Sequence, residues 1–148
     1  MPGLNLSGGP AKFSLQDSMG FEIRQPFPSE NDFFRKNPNV AGMASEDNRI
    51  ILNPFSSSDV NQQSVVRNEA FRLHLRKQNM TPDFAVSDEQ KGAFKGTFYE
   101  KDDDALRQTI AARIFAGDPS ALGTSEQEEW VKNFVFRLSE SPAQGRLQ

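Results

Sequence analysis

Asp102-Asp103-Asp104-Ala105-Leu106-Arg107-Gln108-Thr109-Ile110-Ala111-Ala112-Arg113-Ile114-Phe115-Ala116-Gly117-Asp118-Pro119 reads as one complete helix. Its acids stand where a helix N-terminus favours negative charge. Leu106, Ile110 and Ile114 recur at i, i+4 and i+8 and mark a buried stripe. Gly117 takes the C-terminal stop position and Pro119 follows it, so the helix should end near Ala116.

Working outward, the same grammar repeats. Thr124-Ser125-Glu126-Gln127 has the form of a capping box and opens another helix. Val131, Phe134, Val135 and Leu138 form its apolar face, and Pro142 ends it. Upstream, Ser87-Asp88-Glu89-Gln90 is a second capping box, opening a short helix through about Lys95 with Gly96 as its stop. Further upstream, Ser58 or Asp59 is expected to cap a helix to about Gln78. Its apolar residues Val60, Val66, Ala70, Phe71, Leu73 and Leu75 cover an arc of roughly 200°. So broad a stripe predicts a central helix contacted from two sides. Val40–Ala44 and Arg49–Asn53 flank the turn-forming Ser45-Glu46-Asp47-Asn48, and Ile50, Ile51 and Leu52 suit a strand. A β-hairpin ending at Asn53-Pro54 follows, with Phe55 joining the helical core.

Residues 1–38 read differently. They hold five of the nine prolines, and Phe13, Phe21, Phe27, Phe33 and Phe34 recur among Gly, Pro, Ser and Asn. A disordered tail is poor in aromatics. The expectation is an extended arm whose five phenylalanines are partner-binding anchors, with a short strand at Phe21–Arg24. The fold class is thus mainly α: a small bundle of about four short helices with one β-hairpin and an extended N-terminal arm. The divisions are an arm at 1–38, a hairpin plus helical domain at 39–141 and a tail at 142–148.

Composition narrows the chemistry. The 148 residues suit one domain, and a net charge of −3 gives no general attraction to nucleic acid or anionic lipid. With no cysteine, thiol catalysis, disulfides and thiolate zinc sites are excluded. Thirteen Phe stand against one Tyr and one Trp, which favours dry burial, because Phe has no polar tip to satisfy. Met1–Pro10 has no basic region followed by an apolar run, so no secretory leader is expected there. No apolar run approaches a membrane span, and cytoplasmic synthesis is the default expectation.

His74 is the only histidine, with Arg67 one heptad earlier on nearly the same face. The pair can be read as a base with an anion-holding partner, or as packed residues of an apolar face, and the second reading is stronger. Glu100 with Asp102–Asp104, and Glu126 with Glu128 and Glu129, are explained by the helix dipole, and the first run lacks calcium-loop spacing. Arg72, Arg76 and Lys77 suit a helix C-terminus and are too few for a nucleic-acid stripe. No catalytic residue, cofactor or metal site is assigned.

Two stretches, Asn48-Arg49-Ile50-Ile51-Leu52-Asn53-Pro54-Phe55 and Thr109-Ile110-Ala111-Ala112-Arg113-Ile114-Phe115-Ala116-Gly117-Asp118-Pro119-Ser120, carry a resemblance, with Asn68-Glu69-Ala70 between them. Over about residues 40–122 the chain resembles small uncharacterised proteins of bacteriophages and bacteria. The resemblance implies a phage-encoded accessory or virion component and brings no catalytic residues. The leading expectation is a non-enzymatic interaction or assembly protein that docks on a protein partner, or on itself, through its arm. The alternatives are a small hydrolase or lytic enzyme using His74 or an acidic pair, and a nucleic-acid accessory protein.

Overall fold

A computed structural model describes residues 14–57 and 59–140. Phe13, the rest of 1–13, Ser58, Pro142 and the tail expected at 142–148 lie outside the described residues. The chain divides between Met80 and Thr81 into two compact units. It is mainly helical, with six α-helices and a three-stranded sheet among the described residues.

In the first unit the expected hairpin forms from β2 (Gly42–Ala44) and β3 (Ile50–Leu52), antiparallel, with Ala44 opposite Ile50. Asn48 takes a left-handed φ of 62°, which Asn tolerates better than most residues, and Ser45 N–H donates to Arg49 O at 2.8 Å to close the turn. Gly42 is needed for close approach. A Cβ there would lie 2.9 Å from the Ile51 carbonyl oxygen and 2.7 Å from Val65 Cγ1. Two strands alone are marginal in water. A third, β1 (Ile23–Arg24), completes the sheet parallel to β3, in the order β1-β3-β2.

Residues 14–38 therefore do not form the extended arm that their prolines suggest. They carry α1 (Leu15–Ser18), β1 and the nine-residue α2 (Pro28–Lys36). Pro28 starts α2 rather than breaking it, because a first-turn residue has no intrahelical use for its N–H. Glu30 reaches back to accept from Phe27 N–H at 2.8 Å, the acid half of a capping interaction.

Helix α3 (Gln62–Lys77) packs on α1, β2 and β3. Its cap is Asn61, whose Oδ1 accepts from Ser64 N–H at 3.1 Å, so the helix starts later than the Asp59 expectation. The core joins Ile50 to Val66, Ala70 and Leu73, with Met19, Phe21, Ile23, Ala44 and Leu52 packed against it. Three of those, Met19, Phe21 and Ile23, come from the region expected to be an extended arm. Phe55, expected in the core, is exposed, with the Arg35 guanidinium 4.7 Å from its ring centre.

The second unit follows the sequence closely. Helix α4 (Asp88–Ala93) starts at the Ser87 box and α5 (Asp103–Ala116) at Asp102, which accepts from Ala105 N–H at 3.0 Å. Gly117 ends α5 at φ 77°, a left-handed turn with little cost for glycine. Helix α6 (Ser125–Glu140) packs on α5. The two capping boxes meet through their glutamines. Gln90 Nε2 donates to Gln127 Oε1 at 2.6 Å and Gln127 Nε2 to Gln90 Oε1 at 2.8 Å, both side chains fully buried.

Candidate functional site

The five phenylalanines read as partner anchors have different fates. Phe13 lies outside the described residues. Phe34 is fully buried and packs edge-on to Phe33, so it has no surface to present outward, a correction forced by the inward face of α2. Phe21 is half-buried against the core and the His74 ring, with centroids 4.6 Å apart. Phe27 and Phe33 keep 53% and 42% of their surface exposed. Helix α2 thus divides its aromatics between inside and outside.

The start of α2 is held by charge. Arg24 donates from Nη1 and Nη2 to the two Glu30 oxygens at 2.8 and 2.9 Å, and from Nε to Asp47 Oδ2 at 3.1 Å. Its guanidinium lies 3.7 Å from the Phe27 ring centre, a cation–π stack. Arg49 donates to Asp47 Oδ2 at 3.2 Å and to Glu22 at 2.7 Å. One network therefore links β1, the hairpin turn and α2. The Arg24 hydrogen bonds outweigh partial desolvation and hold the Glu30 carboxyl below its ordinary value. Asp47 is drawn down to about 2, first by the Ser45 hydroxyl, against some burial, and then by Arg24. A planar, bidentate guanidinium fixes geometry as well as charge. Phe27 is therefore exposed yet held on a rigid mount.

His74 and Arg67 share a helix face, as the sequence suggests, but act on the chain and not on each other. His74 Nε2 lies 3.1 Å from Met19 O, and Arg67 Nη1 donates to Asp17 Oδ1 at 3.4 Å. Gln63 Nε2 donates to both Asp17 oxygens at 3.2 and 3.3 Å. His74 Nδ1 is buried without a hydrogen-bond partner. Burial pushes the imidazole below its ordinary value, against the Met19 bond and with help from Lys77. A nitrogen held by a backbone carbonyl and another closed to solvent make a poor general base.

Several of the other charged candidates hold the fold together. Arg76 bonds to Ser45 O, and to Asn48 Oδ1 at 2.9 Å, tying α3 to the hairpin turn. Asp104 pairs with Arg107 at 3.3 Å, and Glu100 accepts from Gly96 N–H at 2.9 Å. Among the described residues no group of three or more His, Asp or Glu side chains is placed to hold a metal ion. A hollow of about 410 Å³ in the second unit has Phe94 and Leu106 in its lining and a rim that mixes Lys91 and Lys95 with Glu100 and Asp103.

Comparison with protein-family models, with curated proteins and with solved structures gives no match. The side chains themselves carry the functional argument. The sequence singled out Phe27 and Phe33 but missed the Arg24–Glu30–Asp47 mount beneath Phe27. Its signal was the spacing of Arg24 and Glu30 on either side of Pro28, which a bent backbone brings together. Among the described residues, no helix is long and apolar enough to cross a membrane.

Proposed function

We propose that the chain is a non-enzymatic interaction or assembly protein whose docking element is α2, presenting Phe27 and Phe33 to a protein partner or to a second copy. The observation that carries this reading is the exposed Phe27 ring stacked on a guanidinium that is itself locked to Glu30 and Asp47. Aromatics held in place before contact lose little freedom on binding, which favours affinity. The phage resemblance adds the proposal that the setting is a virion or an accessory complex, made in the cytoplasm.

The enzymatic reading draws no support from His74, whose two nitrogens are occupied or enclosed. Nucleic-acid binding is disfavoured by the net charge of −3 and by ion pairs that engage Arg24, Arg35, Arg49, Arg67 and Arg107.

Deleting residues 1–38 is a poor test, because it removes β1 and the buried Phe34. Point variants separate docking from folding. Phe27→Ser with Phe33→Ser should keep the helical circular dichroism and melting temperature of the parent and lose concentration-dependent association in sedimentation velocity. Association that survives the double variant moves the docking face elsewhere.

A further inference from the structure

Residues 14–21 lie across α3 on two attachment points. Asp17 is bonded by Gln63 and Arg67, and the Met19 carbonyl by His74. At the second of these, Met19 and Gly20 turn the chain through left-handed φ values of 53° and 90°. A methionine holds that conformation only when its surroundings impose it. Phe21 then closes over the imidazole.

A carbonyl only accepts, so the Met19 contact puts the imidazole hydrogen on Nε2 and leaves Nδ1 as the bare nitrogen. That nitrogen is buried and meets no donor or acceptor. Adding a proton there creates a buried N–H with no acceptor and a charge in a partly desolvated site. The neutral ring fits the site and the cation does not.

We propose that His74 is a pH-sensitive latch, whose protonation loosens residues 14–21 from α3 and uncovers Phe21. The charged groups that face the imidazole leave it as the part that titrates in mildly acidic solution, and Glu69, whose carboxyl burial pushes up, stands about 140° away round α3. On its own helix Lys77 opposes a second positive charge. From the covering segment, Asp17 is taken up by Gln63 and Arg67, and neighbouring Glu22 by Arg49. Strands β2 and β3, also packed on α3, contribute no charged side chain. Burial opposes ionisation of Asp17, but bonds from Gln63, Ser14 and Arg67 outweigh it and keep its carboxyl below the ordinary range. Asp17 therefore stays bonded while His74 charges. Glu22 O accepts from Ile50 N–H at 2.8 Å, so loosening stops at the sheet.

The sign follows from linkage. A histidine whose folded pKa is depressed supports the latched state fully above the ordinary value of about 6.5 and loses that support as pH falls toward the folded value. Within that window the latched-to-open ratio drops by up to about tenfold per pH unit. The link to docking rests on the assembly reading above, since Phe21 would join Phe27 and Phe33 as available aromatic surface.

The test is hydrogen exchange of the full-length protein between pH 7.5 and 5.5, corrected for intrinsic rates. The amides of Ser18 and Phe21, bonded to Ser14 O and Ser18 O, report the segment. Their protection should fall severalfold below pH 6.5 while amides of α5 keep theirs, and His74→Gln should remove the pH dependence. Unchanged protection in the parent, or an equal fall in the variant, overturns the latch. If the variant does not fold, the single imidazole resonance of the parent decides. A titration midpoint below 6.5 supports the latch, and one at or above 6.5 overturns it. Failure of the Phe27/Phe33 association test would remove the docking role and leave these readouts standing.

Discussion

Gln90 and Gln127 each sit at the third helical position of a capping box, and each amide serves two purposes. The oxygens accept from Ser87 N–H and Thr124 N–H, both at 3.0 Å, which is the capping half. The nitrogens donate across to the partner glutamine and to carbonyls, Ala85 O for Gln127 and Ala121 O for Gln90. All donors and acceptors of this buried pair are used, which is why two polar side chains can be fully enclosed. Glutamate caps a helix equally well but has no hydrogens to give. Gln127→Glu would therefore set a buried carboxylate against the Ala85 carbonyl and the Gln90 oxygen. We expect this single change to cost about 3 kcal/mol or more, read from urea unfolding at pH 7, and to recover partly near pH 4 as the carboxyl protonates. A variant as stable as the parent at pH 7 would mean that the pair is not closed to water.

Helix α2 and its network pose the opposite problem, polar contacts near the surface whose value depends on ionisation. Glu30 and Asp47 have folded pKa values below their ordinary ones, so their contribution is complete above the ordinary carboxylate range and is lost as pH falls through the folded values. Stability should decline between about pH 4.5 and pH 2. Glu30→Gln should lower stability at pH 7 by about 1 kcal/mol, between an exposed ion pair and a buried charged hydrogen bond. It should also flatten that acid slope in thermal melts. An unaltered slope would exclude Glu30 from the linkage. This element also shows what the sequence made legible. Hairpin and capping boxes were readable because their signals lie within a few residues: Ser87 with Gln90, Thr124 with Gln127, Asp102 before an apolar stripe. Helix α2 was not, because Pro26 and Pro28 read as breakers and the favourable first-turn use of Pro28 depends on where the turn begins. The α3 cap at Asn61 was hidden in a similar way, since Ser58 and Asp59, the expected caps, stand just before it and are capping residues too. The parallel pairing of β1 with β3 joins Ile23 to Ile50 across the intervening α2, and no local signal encodes it.

Over the whole molecule, two other exposed phenylalanines compete with α2 for the docking role. Phe98 and Phe136 are 72% and 59% exposed, more than either α2 aromatic. Exposure alone therefore does not select Phe27 and Phe33. The difference is support. Phe98 touches Tyr99 edge-on within a 3-10 turn, and Phe136 stands on the solvent side of α6 away from buried Val131 and Phe134, whereas Phe27 rests on a guanidinium fixed by two carboxylates. A side chain already held loses less entropy on contact than one that is free to turn. Phe98→Ser with Phe136→Ser should therefore leave association unchanged, while the α2 pair abolishes it. The association should also show apolar character: a negative heat-capacity change by calorimetry and weak dependence on salt at pH 7, where the surface ion pairs are screened and the phenylalanines are not. Loss of association in the Phe98/Phe136 variant with retention in the Phe27/Phe33 variant would transfer the docking face to the second unit. The rigid Arg24 mount would then be a device for folding the sheet and nothing more.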